Sequence, residues 1–171
     1  MLVVGSKGVA RVLGELSGTV PSALRACVRG ALARETTERG GHVHLGDWVI
    51  MGGLSAIHQF CKVGAHAFIA NNAAVTRDVP HFTLVAERDE VIGFNVVGLK
   101  RRGFSRAAIA ELKGAFQEVY FTAGNIREVA AGLAVSGRFG SAEAQKFLAF
   151  FSGGKRSFAR ARRAATDDTE A

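Results

Sequence analysis

A β-solenoid followed by an α-helical unit is the fold class this sequence predicts, and three observations predict it. From Leu45 to Pro80 the chain divides without gaps into the hexads LGDWVI, MGGLSA, IHQFCK, VGAHAF, IANNAA and VTRDVP. After Pro80 that rhythm stops. From Ser105 onward, apolar residues recur at helical spacing behind residues suited to capping.

The hexads are regular at two positions. Position one holds Leu45, Met51, Ile57, Val63, Ile69 and Val75, all long or branched aliphatics. Position five holds Val49, Ser55, Cys61, Ala67, Ala73 and Val79, all small or modest in size. A period of six fits neither the 3.6 of a helix nor simple alternation, and one inward aliphatic with one inward small residue per repeat is the pattern of a coil with three short faces. The aliphatic is expected to fill each corner. The glycines at position two (Gly46, Gly52, Gly64) are expected to ease the bend. Three hexads make one coil. Two coils bury too little to offset the entropy of ordering them, so the following helices or a second subunit must cover the open end.

Beyond Pro80, HFTLVAERDEVIGFNVVGLKRRGF reads as a loop with short extended pieces that ends at a basic turn. Ser105 then caps a helix carrying Ile109, Leu112, Phe116, Val119 and Tyr120, which Gly124 can end. Asn125 caps a second helix with Ile126, Val129 and Leu133. Ser141 starts a third, with Phe147, Leu148, Phe150 and Phe151 ahead of Gly153 and Gly154. These aromatics read as helix-packing core. The expected organisation is residues 40–80 as coils, 81–154 as the helical unit and 155–171 as a basic disordered tail. Residues 1–39 lack the hexad pattern and are expected to be disordered or read from another frame.

Composition limits the classes available. With 171 residues, 48% of them hydrophobic, the chain suits one ordinary domain. It has no apolar run of the roughly 18 residues that a membrane span needs. The glycine and charges in MLVVGSKGVARVLGEL argue against a signal peptide. Cys27 and Cys61 are too few for a disulfide framework or a zinc site, so they read as reduced thiols of a cytoplasmic protein, with no cofactor or metal implied. The net charge of +7 is densest at Lys155, Arg156, Arg160, Arg162 and Arg163. No aromatic-interleaved groove accompanies it, which argues against a nucleic-acid partner.

Three blocks carry a family resemblance: GGHVHLGDWVIMGGLSAIHQFCKVGAHAF, RDVPHFTLV and GFNVVGLKRRGFSRAAI. The pairing of AIHQFCKVGAH with GLKRRGFS is the specific part. Together they resemble the C-terminal portion of the bacterial UDP-N-acetylglucosamine O-acyltransferases of lipid A biosynthesis. The resemblance implies a left-handed parallel β-helix and transfer of a 3-hydroxyacyl group from acyl carrier protein to the sugar 3-hydroxyl. It further implies a homotrimer with its sites between subunits.

The family's general base is a histidine one coil before the GGHV block. Here that place falls near ALRACVRGAL, and no histidine precedes His42. Arg25 and Arg29 stay protonated and cannot act as bases. The expectation is therefore a shortened, impaired acyltransferase without its catalytic base, or else a non-catalytic remnant that binds acyl carrier protein or nucleotide sugar. By the resemblance, the Gly41 N–H is the candidate oxyanion donor. The resemblance likewise implies that His42, His58 and Gln59 line the nucleotide-sugar and acyl pocket and that Asn95, Arg101 and Arg102 bind uridine and phosphate, with Lys100 as their neighbour and Val97 standing where some relatives have an acid. Asn71 occupies the place that sets acyl-chain length, where a side chain larger than glycine shortens the chain accepted.

Overall fold

The computed structural model describes residues 43–162, together with Val4–Gly5 (β1) and Leu32–Ala33 (β2), which pair in parallel. The expectations for the rest of residues 1–39, for Gly41 and His42, and for residues 163–171 fall outside the described residues.

Six two-residue strands follow at a spacing of one hexad. They are His44–Leu45 (β3), Ile50–Met51 (β4), Ala56–Ile57 (β5), Lys62–Val63 (β6), Phe68–Ile69 (β7) and Ala74–Val75 (β8). Each of the first three strands pairs in parallel with the strand three hexads on, Leu45 with Val63, Met51 with Ile69 and Ile57 with Val75. That register makes one coil of three faces. Backbone amides then bond up the stack, with Ile50 N donating to Ala67 O at 3.0 Å and Ala56 N to Ala73 O at 2.9 Å.

Position five behaves as the hexads predict throughout and position one at four of its six residues, Leu45 and Ile57 being half-buried. Val49, Ser55, Cys61, Ala67, Ala73 and Val79 at position five are buried, as are Met51, Val63, Ile69 and Val75 at position one. Two details differ from the sequence reading. The chain turns at positions three and four, so the aliphatic of position one ends a strand and the corner follows it. At each corner an ordinary residue adopts positive φ: Trp48 at 61°, Leu54 at 59°, Phe60 at 65°, His66 at 61° and Asn72 at 59°. The position-two glycines serve close stacking: a Cβ on Gly46, Gly52 or Gly64 would lie 2.4 Å from the backbone N of Ala65, Asn71 or His81 in the next coil.

Parallel stacking continues past Pro80. Val79 bridges Val63, and Thr83–Ala86 (β9) pairs in parallel with β7, placing Val85 beside Ile69. Glu90–Phe94 (β10) then returns antiparallel to β9, with a register shift between Val91 and Gly93.

Four helices follow: Val96–Arg101 (α1), Arg106–Phe121 (α2), Ile126–Val135 (α3) and Ala142–Ala149 (α4), with a 3₁₀ turn at Phe150–Ser152. The expected caps are in place. Ser105 Oγ accepts from Ala108 N at 3.0 Å, Asn125 Oδ1 from Arg127 N at 3.0 Å and Ser141 Oγ from Ala144 N at 3.3 Å. The first helix lies in the stretch read as a loop. The aromatics form the core between helices and sheet, with Phe147 and Phe151 wholly buried and their rings edge-on at 5.3 Å.

The expected tail from Lys155 is corrected over residues 155–162. Phe158 and Ala159 are buried, and Arg160–Ala161 (β11) pairs in parallel with β10. Burial of the Phe158 ring against Phe151, at 4.8 Å between centroids, outweighs the solubility of the flanking arginines.

Candidate functional site

The turns of successive coils stack into three edges of the prism. Trp48 and His66 share one edge, Asn71 and Asn72 lie over Gly53 and Leu54 on the second, and the turn Gln59–Phe60 belongs to the third. The residues implied as a site are thereby distributed over different edges.

On the first edge, α1 brings Asn95 and Arg102 against the coil. Asn95 is buried and its amide is used twice: Nδ2 donates to His66 O at 3.1 Å, and Oδ1 accepts from Gly98 N at 3.0 Å as the cap of α1. Arg102 lies with its guanidinium carbon 4.7 Å from the centre of the Trp48 ring. Its Nη1 donates to His66 Nδ1 at 3.4 Å. Burial lowers its pKa from the ordinary value. His66 stacks on Phe82 at 5.5 Å and meets Phe104 edge-on at 5.0 Å. Burial, with the cations of Arg102 and Lys146 nearby, pulls this histidine from 6.5 to about 4, so it is a neutral imidazole at neutral pH. Arg101 and Lys100 are exposed in the last turn of α1, and Val97 is exposed beside them.

His81 lies nearby. Its Nδ1 accepts from Ala65 N at 2.7 Å, and Phe150 closes over it edge-on at 5.1 Å. Burial, with Lys146 and His66, lowers it also to about 4.

The second edge carries Asn71. It is exposed, and its Oδ1 accepts from Gly53 N at 2.8 Å in the preceding coil. The asparagine thereby occupies the space above Gly52 and Gly53.

On the third edge, His58 is exposed and Gln59 is half-buried. Arg156, from the C-terminal segment, reaches both: Nη1 donates to Gln59 O at 3.1 Å and Nη2 to His58 Nδ1 at 3.4 Å. Cys61 sits behind them, where burial raises its thiol to about 11 despite the Arg156 charge, so it is neither thiolate nor nucleophile at neutral pH. Among the described residues no group of three His, Cys, Asp or Glu side chains could hold a metal ion, and no helix is long and apolar enough to cross a membrane.

Sequence reasoning passed over Trp48, His66 and Arg156. The first two had a readable signal, since they share position four of hexads one coil apart. The third had none, because Arg156 lies far along the chain from the turn it grips.

Comparison with known proteins identifies the arrangement. The family described as UDP-N-acetylglucosamine O-acyltransferase, domain 2, matches residues 78–159. The acyl-[acyl-carrier-protein]–UDP-N-acetylglucosamine O-acyltransferase of Burkholderia mallei (strain SAVP1) is 36% identical over 127 residues, covering 72% of this chain and 48% of the relative. That of Janthinobacterium sp. (strain Marseille) is 49% identical over 81 residues, covering 47% and 31%. The solved UDP-N-acetylglucosamine acyltransferase from Campylobacter jejuni superposes with a TM-score of 0.65 at 33% identity, over 71% of this chain and 47% of that one. The chain thus spans about a third to a half of the length of these relatives. Over the residues it shares with them, the chain is similar to the C-terminal portion of the UDP-N-acetylglucosamine O-acyltransferases and has their fold, a left-handed parallel β-helix with α-helices behind it.

Proposed function

We propose that the chain serves 3-hydroxyacyl transfer from acyl carrier protein to the 3-hydroxyl of UDP-N-acetylglucosamine, the first step of lipid A biosynthesis, in the cytoplasm. The observation that carries this reading is the Arg102 corner, where the family-matched segment meets the coil. A guanidinium backed by an indole, with Arg101 exposed beside it, offers forked donors suited to phosphate oxygens. In this reading Asn95, Arg101 and Arg102 serve the uridine and phosphates. His42, His58 and Gln59 serve the sugar and acyl group, the Gly41 N–H stabilises the oxyanion, and Asn71 shortens the acyl chain accepted. Asn95 would act through the α1 cap and the His66 carbonyl, since its amide is already engaged.

Assembly as a homotrimer is part of the proposal. Arg102 and His58 lie on different edges of one prism, and subunits standing side by side would bring different edges together.

A second reading, binding without turnover, is favoured by the histidines. The chain holds five, none before His42, and His66 and His81 are too weakly basic at about 4 to take a hydroxyl proton near neutrality. Calorimetry with UDP-N-acetylglucosamine, followed by an assay with 3-hydroxyacyl acyl carrier protein, tests both. The expected result is saturable binding, with turnover about 10²- to 10⁴-fold below that of a longer relative, the usual contribution of a general base. Absence of binding would sink the whole reading, and turnover near the relative's rate would sink the impairment.

A further inference from the structure

We infer that Arg156 is a positioning residue that holds His58 in the tautomer protonated at Nε2. The inference about the ring stands on geometry alone, and its consequence for a ligand rests on the function proposed above.

A guanidinium has five N–H donors and no acceptor. The nitrogen it meets must therefore offer a lone pair. Arg156 Nη2 lies 3.4 Å from His58 Nδ1, while Nη1 donates to the Gln59 carbonyl at 3.1 Å and to the Cys61 sulfur at 3.6 Å. One planar fork thus serves three acceptors around a single coil turn. His58 Nδ1 also lies 3.0 Å from that same Gln59 carbonyl. Without the guanidinium, the favourable arrangement is a proton on Nδ1 donated to Gln59 O. With it, a proton on Nδ1 would face the N–H donors of Arg156 across 3.4 Å, and that repulsion, rather than any saturation of the carbonyl's two lone pairs, disfavours it. The ring's one proton then belongs on Nε2.

Arg156 is itself held in place. Its carbonyl accepts from Arg127 Nη2 at 3.0 Å, and Arg127 also binds the carbonyls of Phe151, Gly153 and Gly154. The guanidinium therefore approaches the turn from an anchored backbone. His58 is exposed, so its Nε2–H faces outward as a donor. A ligand atom meeting His58 at Nε2 should be an oxygen acceptor, such as a phosphate, carbonyl or hydroxyl oxygen.

Multiple-bond ¹H–¹⁵N correlation spectra of the labelled full chain, near pH 8 where an ordinary histidine is neutral, read the tautomer directly. His58→Gln assigns the signals. The wild-type chain should show Nδ1 as the unprotonated nitrogen. Arg156→Met should invert the pattern toward Nδ1–H, and Arg156→Lys should restore the original only in part, because an ammonium lacks the fork. A wild-type His58 protonated at Nδ1 overturns the inference, and this outcome needs no variant to fold. An unchanged tautomer in folded Arg156→Met overturns it equally. Titration with UDP-N-acetylglucosamine separates the two readings. Inversion with roughly tenfold weaker binding, the worth of one charge-assisted hydrogen bond, supports both. Inversion with unchanged affinity supports the positioning role and removes His58 from the ligand site. Failure of both proteins to bind, with the tautomer inverted, overturns the proposed function and leaves the positioning role standing.

Discussion

His81 accepts a hydrogen bond at Nδ1 from the Ala65 amide, and His66 accepts one at its own Nδ1 from Arg102. Protonation of either nitrogen would replace an acceptor by a donor and place a cation near Lys146. Both rings titrate near 4 in the fold, against 6.5 for an unperturbed histidine, so the unfolded chain takes up protons first as pH falls. Their contribution to stability is complete above 6.5, is lost progressively as pH drops from 6.5 to about 4, and falls no further below that. His66 is only half-buried, and solvent screening reduces its share, so the combined loss should be on the order of 3 kcal/mol. Urea midpoints should decline between about pH 7 and about pH 5, above the range where carboxylates dominate. The double variant His66→Asn/His81→Gln should flatten that decline. Equal slopes in the two proteins would show that other groups set the pH response.

At the scale of elements, the coils are built by two constraints of different visibility. Close stacking is tested by Gly46→Ala, whose new Cβ would meet Ala65 N at 2.4 Å and Ala65 Cα at 2.8 Å, backbone atoms that cannot swing aside. The expected cost is about 1–3 kcal/mol or more, as for overpacking of a tight interior. Gly132→Ala in α3 is the contrast, because nothing lies within 4 Å of its added Cβ. It should stabilise by up to about 1 kcal/mol through helix propensity. Chemical denaturation of the two variants would refute the stacking account if their effects were alike. The inward positions of the hexads were legible because burial selects side chains, and side chains are what a sequence displays. The corners were not: Trp48, Leu54, Phe60 and His66 carry no mark of positive φ, a conformation that favours glycine or asparagine. The register imposes it, and amides at this position repay it partly, His66 N donating to Asp47 O at 2.8 Å and Asn72 N to Gly53 O at 3.0 Å. The three longer helices were legible through Ser105, Asn125 and Ser141, whose capping is local chemistry. The short α1 escaped notice because its cap, Asn95, is fixed by a distant partner, the His66 carbonyl. Among the site residues, Arg102 was readable from the GLKRRGFS motif, and its seat on Trp48 was not, since that contact depends on folding.

Across the whole molecule, the solenoid, the helices and the C-terminal segment are joined through Arg127. From α3 its guanidinium donates to four carbonyls, those of Phe151, Gly153, Gly154 and Arg156, each at 3.0 Å, and it stacks 4.6 Å from the centre of the Phe158 ring. The segment so held bonds onward to the sheet and the coil: Asp78 N donates to Ser157 O at 2.9 Å, Ala159 N to Asp78 O at 2.8 Å and Arg162 N to Val91 O at 2.9 Å. Tyr120 adds its hydroxyl to Ala159 O at 3.0 Å. One cation therefore sets the path by which β11 reaches β10 and by which Arg156 reaches the turn at His58. Arg127→Met keeps much of the apolar stem and removes every donor. Charge-assisted hydrogen bonds contribute about 1.5–3 kcal/mol each when well buried, and these are partly exposed and share one group, so the expected loss is roughly 2–4 kcal/mol. Most of it should appear as local opening, because amides such as those of Ile50 and Ala56 donate to carbonyls of the next coil, whereas that of Asp78 donates to the segment Arg127 holds. Hydrogen exchange should accelerate at the amides of Asp78, Ala159, Arg160 and Arg162, while Ile50 and Ala56 keep their protection. Uniform acceleration at all six sites would mean that the fastener acts on global stability. Unchanged exchange would mean that burial of Phe158 and the β10–β11 pairing hold the segment without it.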